Sequence, residues 1–155
     1  MLYETHYSIL MAVCIRYSRT EDEALDLLHE GFIKIFTQLH NYKPDTLLPA
    51  WMKQVMVNNC IDQYRKQSRQ RTTDIEEASH FQCSEPDAIS QYAEKEILNC
   101  IRKLPAAYRT IFNLYVIEGF SHKEIGEKMN ITESTSRANL LRARIKLKQA
   151  LVDNK

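Results

Sequence analysis

Within "NITESTSRANLLRARIKLKQ", residues 130–149, five cations (Arg137, Arg142, Arg144, Lys146 and Lys148) stand against one acid, Glu133. A helix this basic is suited to lie against a polyanion. Arginine can donate two parallel hydrogen bonds to guanine, and asparagine can pair with adenine in the same two-point way. Arg137, Asn139 and Arg142 therefore carry chemistry fit for reading base edges in a major groove. The turn before them is almost entirely small hydroxyl residues. Ser134, Thr135 and Ser136 would let a helix N-terminus approach phosphates closely while its free amides donate to them, and Thr132 is placed to cap it. Arg144, Lys146 and Lys148 read as a solvated or phosphate-facing tail, and Leu140, Ala143 and Leu147 as core.

Other chemistries lack their residues. The four cysteines (Cys14, Cys60, Cys83, Cys100) are scattered, without a C-x-x-C pair, and the five histidines (His6, His29, His40, His80, His122) form no H-x-x-x-H or H-x-x-E-H pattern. Neither a Gly-rich phosphate loop, a nucleophile elbow nor a paired-carboxylate motif occurs. The expectation is a binding protein and not an enzyme, with no metal and no cofactor. No apolar run approaches a membrane span, and Glu4 and His6 stand where a signal peptide needs a basic start. A reduced, cytoplasmic setting is expected.

The elements that must position these residues follow from composition. With 155 residues, 44% hydrophobic, three glycines and four prolines, the chain has little material for hairpins. An all-α fold is expected, as two small helical bundles joined by a flexible acidic linker. The net charge of +1 hides a segregation: residues 1–50 sum to −3, 51–72 to +4, 73–100 to −6 and 101–155 to +6. Two basic blocks alternate with two acidic ones, so a polyanion could be held at two places.

Tyr3, Tyr7, Leu10, Cys14 and Tyr17 recur at helical spacing, which predicts a first helix to about Tyr17. Thr20 followed by Glu23 reads as a capping box for a second, whose apolar stripe is Ala24, Leu27, Leu28, Phe32, Ile35 and Leu39. Two prolines in residues 40–49 force a turn. A third helix then starts near Pro49 or Ala50, with Trp51, Val55, Ile61 and Tyr64 among its apolar positions. Residues 68–86 are polar and acidic and read as a tether between domains at 1–67 and 87–155. Beyond it, Ile89, Tyr92, Ile97, Cys100 and Ile101 restore the stripe. Leu104-Pro105 marks a restart at the first turn of the next helix, which runs to Gly119 as αL cap. Ser121 and Glu124 cap a short helix ending near Met129. A helix, a short turn and the basic helix match a helix-turn-helix.

Both halves, in this order, resemble the extracytoplasmic-function group of bacterial RNA polymerase sigma factors of the sigma-70 family. "LPAAYRTIFNLYVIEGFSHKEIGEKMNITESTSRANLLRARIKL" is similar to that family's region 4, through LP, Arg, EG, S-x-x-EI and RAR-x-x-L. "RYSRTEDEALDLLHEGFIKIF" resembles region 2.2. "WMKQVMVNNCIDQYRKQ" resembles regions 2.3 and 2.4, with N-x-x-x-D-x-x-R-K as Asn58, Asp62, Arg65 and Lys66. Leu25 and His29 depart from the acidic residue and Gln usual there, and Gly31 weakens the helix by about 1 kcal/mol relative to Ala. Gly126 stands in for a usual Ala and Asn130 for the turn Gly; Asn tolerates αL next best.

The resemblance implies an alternative sigma factor that binds core polymerase, selects promoter DNA and helps open it. Asp26, His29, Glu30 and Ile33 would then dock on the polymerase clamp helices, against the plainer reading of a solvated acidic face. Asn41, Tyr42 and Lys43, with Asn58, Asp62, Arg65 and Lys66, would read the downstream element, Tyr42 offering an exposed aromatic for an unstacked base. Trp51 is expected in the core. For Asp62, orienting Arg65 and Lys66 from one turn away is an equal alternative to DNA contact. Ser134, Thr135, Ser136, Arg137, Asn139 and Arg142 would meet the upstream element. The flap region of the polymerase's large subunits and an anti-sigma factor are further implied partners; membrane insertion is not. The rival reading is a stand-alone helix-turn-helix regulator that binds duplex DNA without polymerase.

Overall fold

The structure, a computed structural model, describes residues 2–70 and 91–153. Among the described residues the regular elements are helices, and the chain parts into two compact units between Gln67 and Ser68. Most of the segment expected as a tether, residues 71–86, lies outside the described residues, as do Ile89 and the side chain of Tyr92.

In the N-terminal unit, α1 (Leu2–Tyr17) packs on α2 (Glu21–Gln38). Thr20 Oγ1 accepts from the Glu23 amide at 3.2 Å, and the Glu23 carboxylate returns to the Arg19 amide at 2.8 Å, one residue earlier than a standard capping box. Leu10, Val13, Cys14, Tyr17, Ala24, Leu27, Leu28, Phe32 and Ile35 form the joint core. Leu39 leaves the expected stripe: the helix gives way to a 3₁₀ turn, Leu39–Asn41, and Leu39 is 40% exposed.

The third helix, α3 (Leu48–Gln70), starts a residue before Pro49 and continues into the segment expected as tether, because residues 66–70 contain neither Gly nor Pro to stop it. Met52, Val55, Met56, Val57, Cys60 and Ile61 bury it on several sides. Asn59, also buried, donates to the Leu27 carbonyl of α2 at 3.0 Å. Gly31 faces this helix: a Cβ there would lie 2.1 Å from Met56 Sδ. The glycine that weakens α2 locally is thus what lets Met56 seat against it.

The C-terminal unit comprises α4 (Gln91–Lys103), α5 (Ala106–Phe112), α6 (His122–Met129) and α7 (Glu133–Asp153). Cys100, Ile101, Leu104 and Tyr108 pack on Ala143, Leu147 and Ala150 of α7. Pro105 is the N-cap of α5, one position before the expected first turn. Arg109 is buried, and its Nη1 donates to the carbonyls of Arg102 (3.0 Å) and Leu104 (3.2 Å), satisfying groups that the end of α4 leaves open. The helix expected to reach Gly119 is α only to Phe112. It widens into a π turn over Asn113–Ile117, where the Glu118 amide reaches back five residues to the Asn113 carbonyl at 3.0 Å. Gly119 then takes φ +80.

Replacing Gly31 by Ala should lower the stability of the N-terminal unit by about 1–3 kcal/mol, since the overlap with buried Met56 outweighs the gain in helix propensity. Urea denaturation of the full chain measures this. A stabilisation of about 1 kcal/mol would show instead that Met56 moves aside freely.

Candidate nucleic-acid interface

α6 and α7 are joined by a turn that depends on two small residues. Asn130 sits at φ 58, ψ 46, in the left-handed region, and the Ile131 amide returns to the Gly126 carbonyl at 3.0 Å. A Cβ on Gly126 would lie 2.8 Å from the Ile131 carbonyl oxygen, so the backbones meet where a side chain would stand. Thr132 caps α7 as expected, its Oγ1 accepting from the Thr135 amide at 3.1 Å.

The inward stripe of α7 is Ser136, Leu140, Ala143, Leu147 and Ala150. At about 100° per residue, Arg137 and Arg142 flank the opposite, outward face, whose centre holds Ser134, Leu141 and Ile145. Both arginines are exposed, and Arg137 donates to the Glu133 carboxylate one turn earlier. Asn139 lies about 200° around the helix from Arg137. It is half-buried, on the flank of Thr135 and Arg142, so Arg137 and Asn139 do not share one face. Ser136 is a second correction: it is 0% exposed and its hydroxyl lies 2.9 Å from His122 Nδ1, out of reach of a phosphate. Ser134 and Thr135 stay at the surface, gathered on Thr132 Oγ1 at 3.3 and 2.7 Å.

Leu141, 60% exposed on the outward face, escaped the sequence reading. Its spacing from Leu140 and Leu147 places it off the core stripe, and an apolar group between two arginines is suited to a thymine methyl.

On α2, Asp26, His29, Glu30 and Ile33 recur at i, i+3, i+4 and i+7, and all four are exposed on one face. Phe36, 53% exposed, extends that face beside Ile33 and stacks on Phe32 at 6.1 Å. It was part of neither the expected apolar stripe nor the expected docking set.

Asn41, Lys43, Asn58 and Lys66 are exposed, whereas Tyr42 is half-buried. The Tyr42 ring packs against half-buried Trp51 at 5.5 Å and its hydroxyl donates to the Thr46 carbonyl. These two aromatics form one platform, neither a free Tyr nor a core Trp. Asp62 meets Lys34 of α2 at 3.4 Å, so it ties α3 to α2 in place of orienting Arg65 and Lys66. Arg65 is half-buried, with its Nε sealed from solvent. Glu30, Ile33, Lys34, Asp62, Gln63 and Lys66 line one open cleft of about 320 Å³, which brings together residues expected to serve two different partners. Among the described residues, no group of three or more His, Cys, Asp or Glu could hold a metal ion, and no helix is long and apolar enough to cross a membrane.

Residues 2–70 match the family model "Sigma-70 region 2" and residues 94–147 match "Sigma-70, region 4". The chain is 33% identical over 154 residues to the ECF RNA polymerase sigma factor SigM of Bacillus subtilis, covering 96% of this chain and 94% of that one. The chain belongs to the extracytoplasmic-function sigma factors. It is also 32% identical over 136 residues to the RNA polymerase sigma factor SigZ of Bacillus subtilis, covering 86% of this chain and 76% of the relative. The fold matches that of the sigma factor RpoE from Bartonella quintana, solved in complex with the anti-sigma factor NepR, with a TM-score of 0.58, 21% identity, and 99% and 96% of the two chains covered.

One contact of this sigma factor's helix-turn-helix is titratable. The His122 ring stacks on Tyr115 at 4.5 Å, and the Arg144 guanidinium lies over the Tyr115 ring at 5.8 Å. Burial, then the charge of Arg137, hold His122 below the ordinary imidazole range; Glu133 opposes and Arg144 adds to the lowering. Because the unfolded chain takes up this proton first, the stabilisation is complete above about pH 6.5 and is lost as the pH falls toward the folded-state value. Thermal melts of the C-terminal unit should therefore fall from pH 7 to about pH 5, and less steeply in His122→Phe. Identical acid slopes for the two proteins would remove His122 from the account.

Proposed function

We propose that the two units of this alternative sigma factor divide the work of initiation. The N-terminal unit, residues 1–67, docks on the clamp helices of core polymerase through Asp26, His29, Glu30, Ile33 and Phe36. It engages the downstream element through Asn41, Tyr42, Lys43, Trp51, Asn58, Arg65 and Lys66. The C-terminal unit, residues 87–155, sets α7 in the major groove of the upstream element and meets the flap region. The observation that carries this reading is the outward face of α7, where Arg137, Leu141 and Arg142 stand exposed behind the αL turn at Asn130. An anti-sigma partner belongs to the same reading, since the Bartonella relative was solved with one. The site of action is the bacterial cytoplasm, where polymerase and promoter meet.

The acidic rim and apolar centre of the α2 face fit a partner that is itself basic around an apolar patch. For strand opening, the Tyr42–Trp51 platform can take an unstacked base while Arg65 and Lys66 hold the backbone.

Purified bacterial core polymerase with this protein should give discrete new transcripts from genomic fragments. A protein that leaves core unchanged yet footprints a symmetric duplex alone would replace this reading with a stand-alone regulator. Arg137→Ala and Arg142→Ala should each weaken recognition of the upstream element by about 1–3 kcal/mol. Equal losses on scrambled elements would reduce both to phosphate contacts. Ile33→Glu and Phe36→Glu should weaken binding to core at least tenfold, on the order expected for an interface anchor, with unchanged circular dichroism. Wild-type affinity in both would move the docking surface elsewhere.

A further inference from the structure

The buried stripe of α7 contains one residue that does not belong there by type. Leu140, Ala143, Leu147 and Ala150 are apolar, while Ser136 carries a hydroxyl into a position with 0% exposure. A valine or alanine would need no partner at that depth. The hydroxyl does need one, and has it in His122 Nδ1, 2.9 Å away at the first residue of α6. The imidazole is itself held from a second direction by its stack on Tyr115 in the π turn, at 4.5 Å with the rings 17° apart. Three segments therefore converge on one hydrogen bond.

Apolar packing between two helices is non-directional and tolerates small rotations, whereas a hydrogen bond holds its partners within a few tenths of an ångström and to an angle. Ser136 directly precedes Arg137 in the first turn of α7, so any rotation allowed at Ser136 passes to the guanidinium. At a side-chain radius of about 5–6 Å, a 15° rotation moves such a group by roughly 1.5 Å, more than a two-point contact to guanine tolerates. Buried polar pairs that fix register at little gain in stability are known from other helical assemblies.

We infer that the His122–Ser136 hydrogen bond is a register pin for the basic helix, fixing the rotation of α7 on α6 so that Arg137 meets its base. His122 and Ser136 are on this account positioning residues that govern how sharply the upstream element is discriminated. The inference rests on the proposed placement of α7 in the upstream element.

The test uses the full chain in complex with core polymerase. The promoter recovered by transcription competes against versions altered at single base pairs of its upstream element. His122→Phe combined with Ser136→Val keeps the stack and fills the core without the hydrogen bond. His122→Asn puts an amide oxygen where Nδ1 stands and keeps the hydrogen bond without the stack. The double variant should melt at or above the wild-type temperature yet lose about three- to tenfold in discrimination, the worth of one hydrogen bond, while His122→Asn discriminates like wild type. Ser136→Ala, the smaller change, should show the same loss if the double variant folds poorly. Undiminished discrimination in both the double variant and Ser136→Ala overturns the pin, as does an equal loss in His122→Asn. In either case a loss in Arg137→Ala leaves the upstream reading standing. A wild-type complex that ignores the upstream substitutions would bring down that reading and the pin together.

Discussion

The close approach of backbone to backbone at Gly126 is the constraint on which the helix-turn-helix of the C-terminal unit depends. The Ile131 carbonyl stands where a side chain at 126 would reach, and the chain turns there through a left-handed Asn130. Only a residue without a Cβ accommodates that approach without a shift, and only a few types enter αL at low cost. Once the turn is made, Thr132 caps α7 and the inward stripe of that helix has one consistent side to bury. Everything on the outward face is then defined by exclusion, including the separation of Arg137 from Asn139.

The N-terminal unit relies on a similar device with different parts. Gly31 brings α2 against Met56, and Asn59 closes the remaining gap by donating to the Leu27 carbonyl. A helix such as α3, buried on several sides, has few surfaces to give to function. Its exposed residues Asn58 and Lys66 therefore stand out more clearly than the same types would on a peripheral helix.

Local signals were the legible ones. Thr20 with Glu23, Ser121 with the Glu124 amide at 3.1 Å, and Thr132 with Thr135 are caps read within four residues, and the structure forms all three. The αL residue at 130 and the glycine at 119 were legible for the same reason. What failed needed a partner remote in sequence. Ser136 reads as a surface hydroxyl until His122, fourteen residues earlier, is seen to face it. Asp62 reads as a companion to Arg65 and Lys66 until Lys34 appears across the cleft. Tyr42 reads as free until Trp51 lies against it. The π turn after Phe112 had no sequence signal at all, because its residues suit an α-helix equally well. Phe36 stood in neither the apolar stripe nor the docking face expected from the sequence, since periodicity alone does not say whether an apolar residue at the edge of a stripe turns inward or outward.

The shared cleft between α2 and α3 has a mechanical consequence under the proposed division of labour. Glu30 and Ile33 belong to the polymerase-facing surface, Lys66 to the DNA-facing helix, and Lys34 with Asp62 joins the two elements. The ion pair is largely exposed and by itself contributes little stability. The hydrogen bond of buried Asn59 and the close approach of Met56 to Gly31 join α3 to α2 in the interior. Under that division of labour, docking of α2 on polymerase would carry α3, and with it Arg65 and Lys66, through these contacts. Contacts to core and contacts to the opening strand are then made by one body, so the orientation cost of engaging DNA is already met when the polymerase is bound.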